Sequence, residues 1–215
     1  MKLSKITSLP NLVSLSRVVM IPLVGYYLSR DDSGAVVVCA ALIVLAGISD
    51  GLDGYLARRL GKVSRLGKVL DPLADKLFAG ALVIMLVLYR DLPLWLAATI
   101  VGRDLLIVLI GGLLMRGRDT ELSSNLTGKY TFAAITVLLG SYVVRFDYGI
   151  NLFTWIVLAL LVTSTIIYAR VTVIVCRGGS PPVFADRPVY RAMRVAASLV
   201  VSAAFLHRFY LFLIP

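Results

Sequence analysis

Seven long apolar runs separated by shorter polar segments make up most of this 215-residue chain. The runs are Leu12–Leu28, Ala35–Leu56, Val69–Leu88, Leu94–Met115, Tyr130–Val144, Leu152–Cys176 and Val195–Ile214. A membrane-spanning helix needs about 20 mainly apolar residues. The pattern therefore predicts an all-α integral membrane protein with six transmembrane helices and a seventh apolar helix at the C-terminus.

The seventh run is open to two interpretations. Its first part, Val195–Leu206, is almost wholly apolar, which favours a further crossing of the membrane. His207 and Arg208 near its end instead fit a helix that lies along the membrane surface. We expect one membrane domain over residues 1–176, followed by a C-terminal tail over residues 177–215.

Charge supports a membrane protein and predicts its orientation. Hydrophobic residues make up 59% of the chain, above the roughly one half of a soluble domain. Fifteen Lys and Arg residues lie at one set of run ends, and the opposite loops carry only Arg30, Arg90 and Arg145. Because cytoplasmic loops are enriched in basic residues, the N-terminus and the first connection are predicted to be cytoplasmic. The net charge of +10 is explained by this bias, so we expect no nucleic-acid partner.

Four of the twelve acidic residues lie between Ser49 and Lys76, where the second apolar run ends and the third begins. They are Asp50, Asp53, Asp71 and Asp75. The spacings of three and four residues put each pair on one face of a helix. Because the connection is short and basic, we expect adjacent antiparallel helices and four converging carboxylates at the cytoplasmic surface.

Carboxylates that close together stay ionised only if cations neutralise them. Oxygen ligands suit Mg²⁺, Mn²⁺ or Ca²⁺, and two divalent ions would balance four negative charges. Two-metal sites typically clamp the attacking and leaving oxygens in a displacement at phosphorus. The small residues Gly51, Gly54 and Ala57 leave room for a ligand beside the acids, although small residues also serve helix packing.

The same positions resemble the signature of the CDP-alcohol phosphotransferases, also called CDP-alcohol phosphatidyltransferases. The matching pattern is Asp50-x-x-Asp53-Gly54-x-x-Ala57-Arg58, eight residues, then Gly67-x-x-x-Asp71-x-x-x-Asp75. The resemblance extends over Leu9–Cys176. It implies a membrane enzyme, commonly a homodimer in the inner membrane with a cytoplasmic active site, that joins a CDP-linked alcohol to a second alcohol and releases CMP.

The resemblance also implies roles for individual residues. Asp50, Asp53, Asp71 and Asp75 would hold Mg²⁺ or Mn²⁺, with two ions expected, and Asp75 would act as the general base. The nucleotide site is implied by four other signature positions. They are Gly54, Ala57, Arg58 and Gly67. The donor would be CDP-diacylglycerol.

The acceptor is predicted from other parts of the chain. The opening SLPNLVSLSRVVMIPL and the Gly128-Lys129 pair resemble phosphatidylglycerophosphate synthases, which implies glycerol 3-phosphate as acceptor. Arg17 and Arg103 are basic residues within apolar runs, where a charge is a functional candidate. With Lys129 they are predicted to bind the acceptor phosphate. Each of the three has an alternative role. Arg103 could instead pair with Asp104 or a neighbouring helix, and the Arg17 side chain could snorkel to the cytoplasmic surface. Lys129 could be one of the basic residues that set the membrane orientation.

Two alternative functions stay open at this stage. Arg103-Asp104 followed by LLIVLIGGLLMR resembles cardiolipin synthases of the same family, which would use phosphatidylglycerol as acceptor. A transporter with the acids as an ion relay is a different class. The clustering of the acids at one membrane face and the lack of an inverted repeat in the sequence disfavour it.

Overall fold

The computed structural model describes residues 9–60, 67–114, 126–177 and seven residues of the last apolar run: 203, 204, 206–208, 210 and 211. These residues form six main helices, and no strand occurs among them. The helices are α1 (Leu9–Leu28), α2 (Ser33–Leu60), α3 (Gly67–Tyr89), α4 (Leu94–Leu114), α5 (Leu126–Val143) and α6 (Asp147–Cys176). The all-α prediction is confirmed for the described part of the chain.

Helices α2 and α5 begin before their apolar runs because polar residues occupy their first turns. Helix α2 begins at Ser33, and the preceding Asp32 accepts a hydrogen bond from the backbone N–H of Ala35 at 2.7 Å, as an N-capping carboxylate does. Helix α5 begins four residues before the predicted Tyr130. Its first turn therefore includes Gly128 and Lys129, which the apolar pattern placed in a loop.

The chain forms two compact units, Met1–Leu92 and Pro93–Pro215. In the first unit, α1 packs against both α2 and α3. Leu28, Cys39 and Leu86 are fully buried there, one on each helix. A Cβ atom at Gly25 of α1 would lie only 3.0 Å from Cε of Met85 on α3, so the missing side chain permits a close approach of these helices.

A buried arginine closes the end of the first unit that lies opposite the acidic stretch. Arg90 follows α3, and its side chain is only 1% exposed. It donates hydrogen bonds to the carboxylate of Asp31 at 2.9 Å and to the backbone carbonyl of Arg30 at 3.0 Å. The end of α3 is thereby tied to the loop between α1 and α2.

In the second unit, α4 and α5 each pack against α6. Leu96, Leu138 and Val157 are fully buried, one on each helix. Arg145, with φ of 49°, ends α5 in the left-handed conformation. The N–H of Phe146 donates to the carbonyl of Ser141 at 2.9 Å, and that of Arg145 to Tyr142 at 3.3 Å, which is the Schellman arrangement. Helix α6 therefore starts directly after a tight, hydrogen-bonded turn.

The described residues of the last apolar run are helical. The guanidinium of Arg208 donates a hydrogen bond to the backbone carbonyl of Arg145 at 3.1 Å. The end of the run consequently lies beside the turn between α5 and α6, whereas Arg177 follows the far end of the 30-residue helix α6.

By length and apolar composition, Asp147–Ile174 is the one segment in the described ranges that qualifies as a membrane-spanning helix. Leu15–Leu28 and Ser33–Ser49 are shorter apolar helical segments.

Candidate active site

An ion pair between Arg17 and Asp75 connects α1 to the start of α3. The Arg17 guanidinium contacts the Asp75 carboxylate directly. The arginine side chain is 3% exposed, whereas that of Asp75 is 44% exposed. Arg17 therefore does not snorkel to the surface. It holds from the interior a carboxylate that is accessible on its other side.

The four predicted acids lie on two helices that share α1 as a neighbour. Asp50 and Asp53 are on the C-terminal half of α2, and Asp71 and Asp75 are in the first three turns of α3. The backbone is helical at all four positions, and spacings of three and four residues correspond to one face of a helix. The side chains of Asp50, Asp53 and Asp71 lie outside the described part, so their convergence stays a prediction.

The predicted nucleotide-binding positions fall in the same two segments. Gly54, Ala57 and Arg58 belong to the last turns of α2, and Gly67 is the first residue of α3. Their side-chain environments are also outside the described part.

The chemistry of the donor set fits a divalent metal. Carboxylate oxygens are hard ligands of the kind that Mg²⁺ and Mn²⁺ prefer. Asp75, whose side chain is described, keeps nearly half of its surface accessible while paired with Arg17. No group of three potential ligands occurs among the described side chains, which include only this one of the four acids.

A second polar cluster, formed by Arg103, Gly128, Ser164 and Tyr168, lies among the three helices of the second unit. The Arg103 guanidinium donates to Oγ of Ser164 on α6 at 2.8 Å and to the carboxylate of its neighbour Asp104 at 2.6 Å. The guanidinium carbon lies 5.8 Å from the centroid of the Tyr168 ring. We call these four residues the Arg103 cluster.

Gly128 brings α5 into the Arg103 cluster. A Cβ atom at this position would lie 3.1 Å from the hydroxyl of Tyr168 and 3.8 Å from Nη2 of Arg103. Lys129, the next residue, is exposed in the first turn of α5.

The three predicted acceptor residues do not occupy one unit. Arg17 lies in the first and contacts Asp75, while Arg103 and Lys129 lie in the second. Both alternatives considered for Arg103 are present, since it contacts Asp104 and a neighbouring helix. Sequence reasoning missed Ser164 and Tyr168. Their only signal was a four-residue spacing of two hydroxyl-bearing side chains on a long apolar helix.

Comparison with known proteins agrees with the acidic pattern. A family model described as CDP-alcohol phosphatidyltransferase matches residues 7–175. A probable cardiolipin synthase (CMP-forming) of Drosophila melanogaster is 40% identical over 48% of this chain and 31% of its own length. A cardiolipin synthase (CMP-forming) of Streptomyces coelicolor is 35% identical over 58% of this chain and 60% of its own length. The chain thus spans less than two thirds of both relatives.

A third relative is matched more completely. The CDP-diacylglycerol–glycerol-3-phosphate 3-phosphatidyltransferase of Aquifex aeolicus is 32% identical over 67% of this chain and 80% of its own length.

The Arg17–Asp75 pair makes a prediction about stability. Arg17 is buried, so replacing Asp75 leaves the arginine charge without compensation, whereas replacing both residues removes both charges. We expect Arg17→Met and Asp75→Asn each to lower the free energy of unfolding. The double variant should be more stable than the sum of the single effects by about 1–3 kcal/mol. Reversible unfolding in mixed detergent–SDS micelles measures this coupling.

Lys76→Met provides the control, because Lys76 adjoins Asp75 and is exposed. Its effect should add to that of Arg17→Met within about 0.5 kcal/mol. Additivity of Arg17→Met with Asp75→Asn would contradict the interpretation of a mutually stabilising pair.

Proposed function

The chain belongs to the CDP-alcohol phosphatidyltransferase family, and we propose that it transfers the phosphatidyl group of CDP-diacylglycerol to glycerol 3-phosphate and releases CMP. The observation that carries the reaction class is the complete eight-position signature on α2 and α3, within the matched range. The acceptor is supported by the Aquifex relative, which is matched over the largest share of both chains among the three relatives described above.

The proposed reaction is a displacement at phosphorus. Asp75 accepts the proton of the acceptor hydroxyl while the oxygen attacks the lipid-bearing phosphorus of CDP-diacylglycerol. A new phosphorus–oxygen bond forms, the bond from that phosphorus to the CMP oxygen breaks, and CMP leaves. Arg17 keeps the Asp75 carboxylate oriented by their ion pair.

Two Mg²⁺ or Mn²⁺ ions would be held in this site by the four acids Asp50, Asp53, Asp71 and Asp75. When bound, these ions polarise the acceptor hydroxyl and neutralise charge on the diphosphate. The cytidine and diphosphate would be bound by the other signature residues, which are Gly54, Ala57, Arg58 and Gly67. A planar guanidinium such as that of Arg58 forms two parallel hydrogen bonds to a phosphate.

Arg103 and Lys129 are proposed to bind the acceptor phosphate. Arg103 is a largely buried charge, with a side chain only 13% exposed, on a helix whose one other charged residue is the exposed Asp104. Such a charge is expensive in an apolar environment and is a functional candidate by default. Lys129 offers an exposed ammonium one residue beyond Gly128. Arg17 was predicted to share this role, and its contact with Asp75 favours the orienting role instead.

The proposed topology has six membrane spans, a cytoplasmic active site, and a last apolar run that crosses as a seventh span. Support for the crossing comes from Arg208, which contacts the turn between α5 and α6 at the opposite end of α6 from Arg177. A run that lay along the cytoplasmic surface would not reach that turn. The membrane domain over residues 1–176 stays a prediction from the apolar pattern, and the homodimer and the inner-membrane location stay predictions from the family resemblance.

A cardiolipin synthase is the second candidate. The Arg103-Asp104 pair resembles that group, and two cardiolipin synthases show 40% and 35% identity over shorter matches. Here phosphatidylglycerol would supply the attacking hydroxyl, and the donor and leaving group would be the same.

An acceptor panel tests the proposal. Purified protein in mixed micelles receives CDP-diacylglycerol, Mg²⁺ or Mn²⁺, and one of glycerol 3-phosphate, phosphatidylglycerol, serine or inositol phosphate. We expect CMP release with glycerol 3-phosphate. Release only with phosphatidylglycerol would establish the second candidate. If none of the four acceptors causes CMP release under either ion, the reaction class is refuted.

Substitution of the acids separates their proposed roles. We expect Asp75→Asn to abolish turnover while CDP-diacylglycerol binding stays measurable, because the base is lost and the other three acids remain to hold metal and nucleotide. Asp50→Asn should lose metal and nucleotide binding together. Asp91→Asn is the control, since Asp91 is an exposed acid after the other end of α3. Turnover at the wild-type rate in Asp75→Asn would rule it out as the base.

A further inference from the structure

We propose that Ser164 and Tyr168 of α6 are positioning residues that orient the Arg103 guanidinium toward the phosphate of the acceptor. Gly128 of α5 provides the space for that phosphate. The inference rests on the proposed function and deepens it. It names residues of α6 that lie outside the signature, and it predicts an acceptor whose recognised group is a compact phosphate monoester.

Ser164 holds Arg103 without cancelling its charge. The serine is fully buried, and its Oγ accepts a hydrogen bond from Nη2 of Arg103 at 2.8 Å. A neutral hydroxyl fixes one edge of the guanidinium but leaves its positive charge available to an anion. Hydrogen bonds to charged groups are stronger than those between neutral groups. Because the serine is buried, the surrounding packing fixes the position of its hydroxyl.

The other charged contact of Arg103 is of a different kind. Asp104 is the adjacent residue, and its side chain is 53% exposed. An exposed carboxylate is screened by solvent and contributes little to holding its partner. A phosphate with two negative charges can therefore compete with Asp104, while Ser164 continues to orient the guanidinium.

Arg103 also has a donor that the described residues leave without a partner. Its Nε atom is buried and has no hydrogen-bond acceptor within the described part of the chain. A buried donor that forms no hydrogen bond costs free energy. Nε and one Nη together form an edge that matches two oxygens of a phosphate. An oxyanion bound at that edge would satisfy the donor.

Tyr168 and Gly128 delimit the space next to this edge. The Tyr168 ring lies 5.8 Å from the guanidinium carbon, within the range of a cation–π contact. A methyl group at position 128 would approach the Tyr168 hydroxyl to 3.1 Å, which requires the ring or α5 to shift. The absence of a side chain at Gly128 therefore leaves the Tyr168 hydroxyl in its place beside Arg103. A small acceptor headgroup fits this limited space better than a bulky one.

Steady-state kinetics of three variants test the inference in micelles with CDP-diacylglycerol and glycerol 3-phosphate. We expect Ser164→Ala to raise the acceptor KM about tenfold, the effect of one hydrogen bond to a charged group, with the donor KM unchanged and kcat within about twofold. Ser164→Thr, which retains a hydroxyl, should recover most of the acceptor affinity. Gly128→Ala should also raise the acceptor KM selectively, because it displaces Tyr168.

Two matched controls come from α6. Thr163 is the exposed neighbour of Ser164 and donates to the carbonyl of Ala159. Tyr148 is a tyrosine that is 84% exposed. Thr163→Ala and Tyr148→Phe should leave both KM values unchanged, whereas Tyr168→Phe retains the ring and should change the acceptor KM by less than Gly128→Ala.

The outcomes separate this inference from the proposed function. Wild-type protein that releases no CMP with glycerol 3-phosphate overturns the acceptor assignment and this inference with it. Active wild-type protein whose acceptor KM is unaffected by Ser164→Ala, or whose donor KM and acceptor KM rise equally, overturns the positioning role alone. Binding of glycerol 3-phosphate without donor, measured by calorimetry, gives a readout independent of turnover and should weaken about tenfold in Ser164→Ala.

Discussion

The cost of carboxylates next to apolar helices is the constraint on which the rest of the proposed site depends. Arg17 meets this constraint directly, since its buried guanidinium contacts the partly exposed carboxylate of Asp75. Because the arginine comes from α1 and the acid from α3, the ion pair also fixes the register of these helices. The helix that carries Arg17 packs against α2 as well, so α1 supports both elements of the acidic pattern.

Three largely buried arginines are held in three different ways. Arg17 contacts a carboxylate of the acidic stretch, and Arg90 donates to an exposed carboxylate and a backbone carbonyl. Arg103 donates to a serine hydroxyl on α6 and to the exposed carboxylate of its neighbour Asp104. The first two arrangements tie helices or loops together. The third arrangement keeps a positive charge oriented while leaving it able to bind an anion. This difference in partners, which burial alone does not reveal, is why a ligand-binding role is proposed for Arg103 and not for Arg90.

Much of the architecture could be predicted from the sequence because apolar periodicity and length define helices in such a chain. The six helices lie where the apolar runs predict, and the errors occur at ends such as Ser33 and Leu126, where polar residues continue a helix. The grouping of the acids into two pairs could also be predicted, because residues three or four apart lie on the same face of a helix. The contact of Arg103 with Asp104 was among the predicted alternatives, but the pairing of Arg17 with Asp75 and of Arg103 with Ser164 could not be predicted. Ser164 is 61 residues from Arg103, and such contacts depend on how helices pack.

Direct measurement of metal binding tests whether the acids of α2 and α3 form one divalent-metal site. Purified protein in micelles is titrated with Mn²⁺ in the presence of CDP, and free Mn²⁺ is followed by electron paramagnetic resonance. We expect saturable binding of about two ions per chain, and a loss of this binding when Asp53 is replaced by Asn. Saturable binding that is undiminished in Asp53→Asn, or no saturable binding in the wild-type protein, would contradict this expectation.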